Sequence, residues 1–111
     1  MHDLLSLTCK HYSTEDTKLT ETEITNLLTK VTGWTLSQAD KNIITKDFKF
    51  KNYHQTIEFI NAVAWIVHNQ DHHPQITITY NICHIEFSTH SIKGLSLNDF
   101  ICAAKINSLE S

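Results

Sequence analysis

The single proline of this chain, Pro74, limits its folding more than any other residue. Its ring disfavours helical geometry at His73, so no helix can run through this point. On its amino side, from Asn52 to about Gln70, Ile57, Ile60, Ala64 and Val67 recur on one stripe, widened by Phe59, Val63 and Ile66. This pattern predicts a helix buried on more than one side, with Trp65, like Trp34, read as core. On the carboxyl side, residues 76–89 are rich in β-branched types. Ile76, Ile78, Tyr80 and Ile82 share one face of this stretch, and Cys83, Ile85 and Phe87 share the other. The switch of apolar face near Tyr80 predicts two strands or one bulged strand.

The flanks complete a simple pattern. Thr20 and Glu23 have capping-box spacing, and Ile24, Leu27, Leu28 and Val31 follow at helical intervals, predicting a first helix ended by Gly33. From Trp34 to Phe50 the period becomes two, broken by the polar run Ser37 to Asn42, as in a hairpin with a long loop. After Gly94, Ser96 can cap a last helix carrying Leu97, Phe100, Ile101, Ala104 and Ile106. The expected fold is α+β, in the order α-β-β-α-β-β-α. Three helices would pack on one face of a four-stranded antiparallel sheet, in one domain over residues 1–111.

Composition narrows the function. Lys plus Arg number 9 against 12 Asp plus Glu, so no broad basic face is available for nucleic acid. No apolar run approaches the roughly 18 residues of a membrane span, and the amino end lacks the layout of a secretory leader. The expected location is the cytoplasm. Three widely spaced cysteines, Cys9, Cys83 and Cys102, form neither a disulfide framework nor a thiolate zinc site and read as reduced thiols.

Eight histidines in 111 residues need an explanation. His68 and His72 stand four apart near a helix end, His72 and His73 adjoin Pro74, and His90 follows the strand region. A histidine at a helix carboxyl terminus feels the negative end of the dipole, which favours imidazolium, a useful state for a general acid. An antiparallel return could bring His90 back towards His72 and His73, and several imidazoles facing one pocket could exchange protons at neutral pH. Any one of them is, however, more often a surface or hydrogen-bonded structural residue. Asp99 has its own ordinary role, because Ser96-x-x-Asp99 is a capping box. The pair His68 and His72 also has zinc-ligand spacing on a helix. Against a metal stand the missing Glu of His-Glu-x-x-His and the disruption by Pro74, so no metal is expected.

These residues resemble the pterin-4a-carbinolamine dehydratase family, also called the dimerisation cofactor family. The similarity is carried by His68-x-x-x-His72-His73-Pro74, then five residues to Tyr80, nine to His90 and eight to Asp99. Gly33-Trp34, Phe48, Phe50 and Ser88-Thr89-His90 followed by Gly94-Leu95 agree, over about residues 20–108. The resemblance implies dehydration of 4a-hydroxytetrahydropterin, the product of aromatic amino acid hydroxylases, to quinonoid dihydropterin, without metal or organic cofactor. It implies His72, His73 and His90 as catalytic residues, with Asp99 and His68 supporting them. Pro74, Thr89, Ser91 and Ile92 would join the three histidines in contacting the substrate. From their helix-end setting, His72 or His73 is expected to be the main acid and His90 its complement. A homodimer or homotetramer and a functional link to a hydroxylase are further implications. The alternative is a non-catalytic dimerisation or coactivator module on the same fold. Two positions depart from the common pattern: His68 is often Glu, and Ile76 is Trp in some members.

Overall fold

In the computed structural model, which describes residues 3–110, the chain forms three helices and four strands. They are α1 (Glu21–Leu28), β1 (Thr35–Leu36), β2 (Ile44–Lys49), α2 (Tyr53–Gln70), β3 (Gln75–Ile78), β4 (Ile82–Phe87) and α3 (Leu97–Asn107). The sheet is antiparallel throughout, in the order β1-β2-β4-β3. This is the predicted α+β fold, with the region after Pro74 resolved as two strands rather than one bulged strand.

Register makes the two faces of the sheet different. Ile44 pairs with Phe87, and Phe48 with Cys83, placing these buried side chains with Ile85 on the face under the helices. α3 completes that core with Phe100, Ile101, Cys102, Ala103 and Ile106, all buried. The alternate positions Thr45, Asp47, His84 and Glu86 pair across the other, polar face. Such a one-sided sheet follows from alternation, since successive side chains point to opposite faces.

Three details differ from expectation. α1 ends at Leu28 rather than at Gly33; a further turn carries Val31 into the core, and Gly33 (φ 85°) then occupies left-handed backbone suited to glycine. In α2 the buried residues are Thr56, Phe59, Val63 and Val67, a single stripe. Ala64, placed on the stripe by the sequence pattern, is exposed. Trp65 is not core but 69% exposed. It lies two residues from Val63, about 200° around the helix, and the sheet and α3 cover only one side of α2. Trp34 is core, as expected, with its indole N–H donating to Asn107 Oδ1 at 3.0 Å.

Candidate active site

How α2 ends determines where the histidines go. Asp71 adopts left-handed backbone (φ 52°, ψ 43°), its N–H bonding His68 O, while His72 N–H bonds Val67 O. These two bonds form a Schellman closure, which satisfies the last carbonyls and turns the chain sharply. Pro74 then begins the approach to β3. His72 is thereby swung inward, where its ring stacks on Phe87 at 5.6 Å, and its side chain is only 11% exposed.

The second half of the site comes from the loop between β4 and α3. Thr89 bridges Gly94 in antiparallel fashion, and residues His90–Ile92 form one 3-10 turn between them, closed by Lys93 in left-handed backbone. Ser96 caps α3, and its N–H donates to Asp99 Oδ2 at 2.9 Å, completing the expected capping box. Asp99 does more than cap. His72 Nε2 lies 2.6 Å from Asp99 Oδ1, and Thr89 Oγ1 donates to Oδ2 at 2.9 Å. Since the carboxylate only accepts, His72 carries its proton on Nε2 and Thr89 gives its own to Asp99. Ser96 Oγ, 2.7 Å from Thr89 Oγ1, therefore donates to Thr89. Asp99 is thus fully buried with three donors, and α3 presents it as a fixed partner for His72.

Burial pulls the His72 pKa down. The hydrogen bond and charge of Asp99 oppose this, Cys9 and Asp71 add to them, and the net result is a pKa above the usual histidine value. His72 is therefore held as an imidazolium more readily than a free histidine, by a buried carboxylate rather than by the helix dipole alone.

A cavity of about 370 Å³ opens beside this pair, lined by His72, His73 and His90 together with Thr89 and Ser91. The structure thus brings the three sequence-predicted histidines to one hollow. Pro74 lies in an adjoining hollow that His73 and His90 share. Two expected contributors are placed elsewhere: His68 is exposed on α2 and does not line the cavity, and the Ile92 side chain is buried. Thr89 lines the cavity, but its hydroxyl is spent on Asp99. Sequence reasoning missed Cys9, Lys10, His11 and Tyr12, an amino-terminal segment along one wall, and Asn98, which holds it. A larger hollow of about 770 Å³ lies near both chain ends, but no histidine or cysteine lines it and its Lys46 is ion-paired with Glu110. Chemistry rather than size selects the smaller cavity. Among the described residues, no group of three or more His, Cys, Asp or Glu side chains is arranged to hold a metal ion.

The family model for pterin 4 alpha carbinolamine dehydratase matches residues 17–109. The chain belongs to the pterin-4-alpha-carbinolamine dehydratase family. A relative from Nitrosospira multiformis, with a provisional name of that dehydratase, is 50% identical over 107 residues, covering 96% of this chain and 92% of its own. Another from Hydrogenovibrio crunogenus, named likewise, is 51% identical over 86 residues, 78% of this chain and 75% of its own. Among solved structures, a transcriptional coactivator/pterin dehydratase from Brucella melitensis aligns with a TM-score of 0.80 at 31% identity. That alignment covers 85% of this chain and 99% of the other. A pterin dehydratase-like RuBisCO assembly factor of the alpha-carboxysome shares the fold, with a TM-score of 0.58 at 20% identity, over 89% of this chain and 95% of the other. The dehydratase family match begins after the amino-terminal segment that forms one wall of the cavity.

Proposed function

We propose that this chain dehydrates a 4a-hydroxytetrahydropterin to the quinonoid dihydropterin by histidine acid–base catalysis. The observation that carries this reading is the pairing of His72 with the buried Asp99, on the wall of a cavity that His73 and His90 also line. In the reaction the C4a–O bond breaks, the leaving hydroxyl takes a proton and departs as water, and N5 loses its proton as the C4a–N5 double bond forms. His72 or His73 supplies the proton to the hydroxyl. His90, or water beside it, accepts the N5 proton, and the roles of acid and base exchange for the epimer carrying its hydroxyl on the opposite ring face. With Nε2 committed to Asp99, His72 has only Nδ1 left for exchange with a bound molecule. Ser91 and the edge of Pro74 complete the substrate contacts in this reading, and no metal or organic cofactor is required.

The assay follows loss of synthetic 4a-hydroxytetrahydropterin with and without protein. Acceleration supports the reading; folded protein that neither accelerates the reaction nor binds a pterin overturns it. The same proposal places the protein in the cytoplasm, recycling tetrahydropterin for an aromatic amino acid hydroxylase. No described helix is long and apolar enough to cross a membrane.

A second reading, a non-catalytic dimerisation or coactivator module, is favoured by the apolar surface on α2 and β3. Tyr53 and Trp65 on α2, Ile78 on β3 and Tyr80 in the turn after it are exposed, Tyr53 and Tyr80 stack on each other, and β3 is an edge strand. We take this surface to support a homodimer or homotetramer of the enzyme, since edges and apolar patches are commonly covered by association. A monomer by light scattering at micromolar concentration would count against that. If replacing His73 and His90 left the biological activity intact, the module reading would prevail.

A further inference from the structure

The amino-terminal segment is tied across α3 by specific bonds. Leu4 is buried in the core, and Lys105 Nζ donates to Leu5 O at 2.8 Å. Asn98, itself buried, grips Lys10 from both sides: Lys10 N–H donates to Asn98 Oδ1 at 3.0 Å, and Asn98 Nδ2 donates to Lys10 O at 2.6 Å. Cys9 N–H donates to Gln70 Oε1 at 2.8 Å. These anchors bring Cys9 Sγ to 3.7 Å from Cys102 Sγ, across 93 residues of sequence.

The two thiols have unlike surroundings. Cys9 is half-buried and lines the cavity with His72, His73 and His90, so a small solute entering there meets it. Cys102 lies behind it in the core and has no exposed surface. We propose that Cys9 is a reactive thiol of this cavity, and that hydroperoxide oxidises it with Cys102 to an intrachain disulfide that pins the amino-terminal segment against the site. This inference does not depend on what the cavity binds.

Thiolates, not thiols, attack peroxides. The hydrogen bond from Cys102 favours the Cys9 thiolate. Burial and Asp99 oppose it, His72 and Lys105 assist it, and the balance lies below the ordinary cysteine value. Cys102 is pushed the other way, first by that same bond and then by burial, so it remains the proton donor of the pair. In the first step the Cys9 sulfur attacks one peroxide oxygen, the O–O bond breaks, and hydroxide leaves and is protonated to water. Cys9 is then a sulfenic acid. In the second step the Cys102 sulfur, giving up its proton, attacks the Cys9 sulfur, and the S–O bond breaks with loss of a second water. Two thiols are oxidised to one disulfide while one hydrogen peroxide is reduced to two waters. The sulfurs must close from 3.7 Å to a bond of about 2 Å.

Cys83 provides an internal control. It is buried on β4, and burial, with Asp47 adding to it, pushes its pKa up to about 11. The test treats native, reduced full-length protein with hydrogen peroxide, quenches, unfolds, alkylates the remaining thiols and maps the peptides. The expected result is loss of two of the three thiols, a Cys9–Cys102 cross-link with a mass lower by two hydrogens, and Cys83 still alkylated. Cys102→Ser should stop at a Cys9 sulfenic acid that dimedone traps, and Cys9→Ser should leave Cys102 and Cys83 reduced. A brief pulse of iodoacetamide on untreated wild type should label Cys9 ahead of the other two, a readout that needs no variant to fold. Persistence of all three thiols under peroxide that fully oxidises a small dithiol would overturn the proposal. So would cross-links formed only between separate chains, or labelling of Cys102 or Cys83 ahead of Cys9.

Discussion

Two histidine–carboxylate clusters lie on opposite faces of the same sheet, and they differ in what surrounds them. On the helix-covered face His72 meets Asp99, with side-chain exposures of 11% and 0%. On the open face His84 bonds Asp47 through Nδ1 and Glu86 through Nε2, with exposures of 33%, 52% and 27%. Both arrangements raise the histidine pKa. At His84 the cause is first the bond to Glu86, then that to Asp47; at His72 a burial penalty is overcome by Asp99. The exposed cluster has more carboxylates, yet water competes for every bond in it. The other has a single buried carboxylate, fixed by Thr89 and Ser96, beside a cavity with three more imidazoles, His11, His73 and His90. A raised histidine pKa alone does not single out a site; a fixed, desolvated partner next to an open volume does.

The largest difference between the two clusters should be in turnover. Removing one proton-transfer group typically costs about 100- to 10,000-fold, unless another imidazole or water substitutes. His72→Ala, His73→Ala and His90→Ala should therefore each slow dehydration of 4a-hydroxytetrahydropterin, unequally for the two 4a epimers, with the His73/His90 double change well below either single. His84→Ala should leave both epimers at wild-type rate. Steady-state rates on resolved epimers decide this. Wild-type turnover in all three single variants and the double would end the histidine mechanism, and a large loss at His84 would erase the contrast.

Stability should separate the clusters next. Asp99→Ala strips His72 of its partner, takes from the Thr89 hydroxyl its acceptor and removes one arm of the capping box, so a loss of about 3 kcal/mol is expected. Asp47→Ala breaks an exposed contact and should cost under about 1 kcal/mol. Urea unfolding of the two variants gives the comparison directly, and equal midpoints would show that Asp99 is less committed than its three bonds suggest.

How far these clusters could be read from the sequence follows from the range of the interactions. Local signals were legible: the Pro74 stop, the hairpin break between Ser37 and Asn42, and the Ser96–Asp99 capping box all involve neighbours within a few residues. The histidine signature pointed to the cavity through family resemblance. The second function of Asp99 was visible in that resemblance but not in the spacing, because its partner His72 lies 27 residues away. The His84 cluster needs the β2–β4 register, which alternation alone does not supply. The Cys9–Tyr12 wall had no periodic signal at all; it depends on Asn98 reaching back 88 residues to Lys10. Trp65 was misread because an apolar residue on a helix reports hydrophobicity, not which sides of that helix other elements cover.

Dependence on pH offers a third and smaller contrast. The folded pKa of His72 is raised above its usual value of about 6.5. Its protonated form therefore adds stability that is fully present below about pH 6.5 and lost as pH rises through the higher folded value. The gap in unfolding free energy between wild type and Asp99→Asn should narrow as pH rises above neutrality. Urea titrations at several pH values between 5 and 9 measure it; a gap that widened with pH would reverse the assigned sign. His84 has the same sign, but with the carboxylates in water its share of the slope should be smaller.

Salt provides the finest test, because it acts on the two clusters through different physics. At about 0.01 M ionic strength the Debye length is about 30 Å, and at 1 M it falls to about 3 Å, comparable to the contacts themselves. Ions can approach His84, Asp47 and Glu86, all at least a quarter exposed, and screen their attraction. They cannot enter between His72 and Asp99, where the carboxylate has no exposed surface. His84→Gln at pH 6 should thus cost a few tenths of a kcal/mol at low salt and almost nothing at 1 M. The Asp99→Asn penalty should change little over the same range, since its source is a desolvated bond rather than a long-range field. Unfolding midpoints for both variants and wild type at the two salt concentrations isolate the effect, with a neutral salt chosen to limit specific ion binding. If the Asp99 penalty faded with salt as fast as that of His84, solvent would have to reach the pair, and the desolvation that sets His72 apart from His84 would be lost.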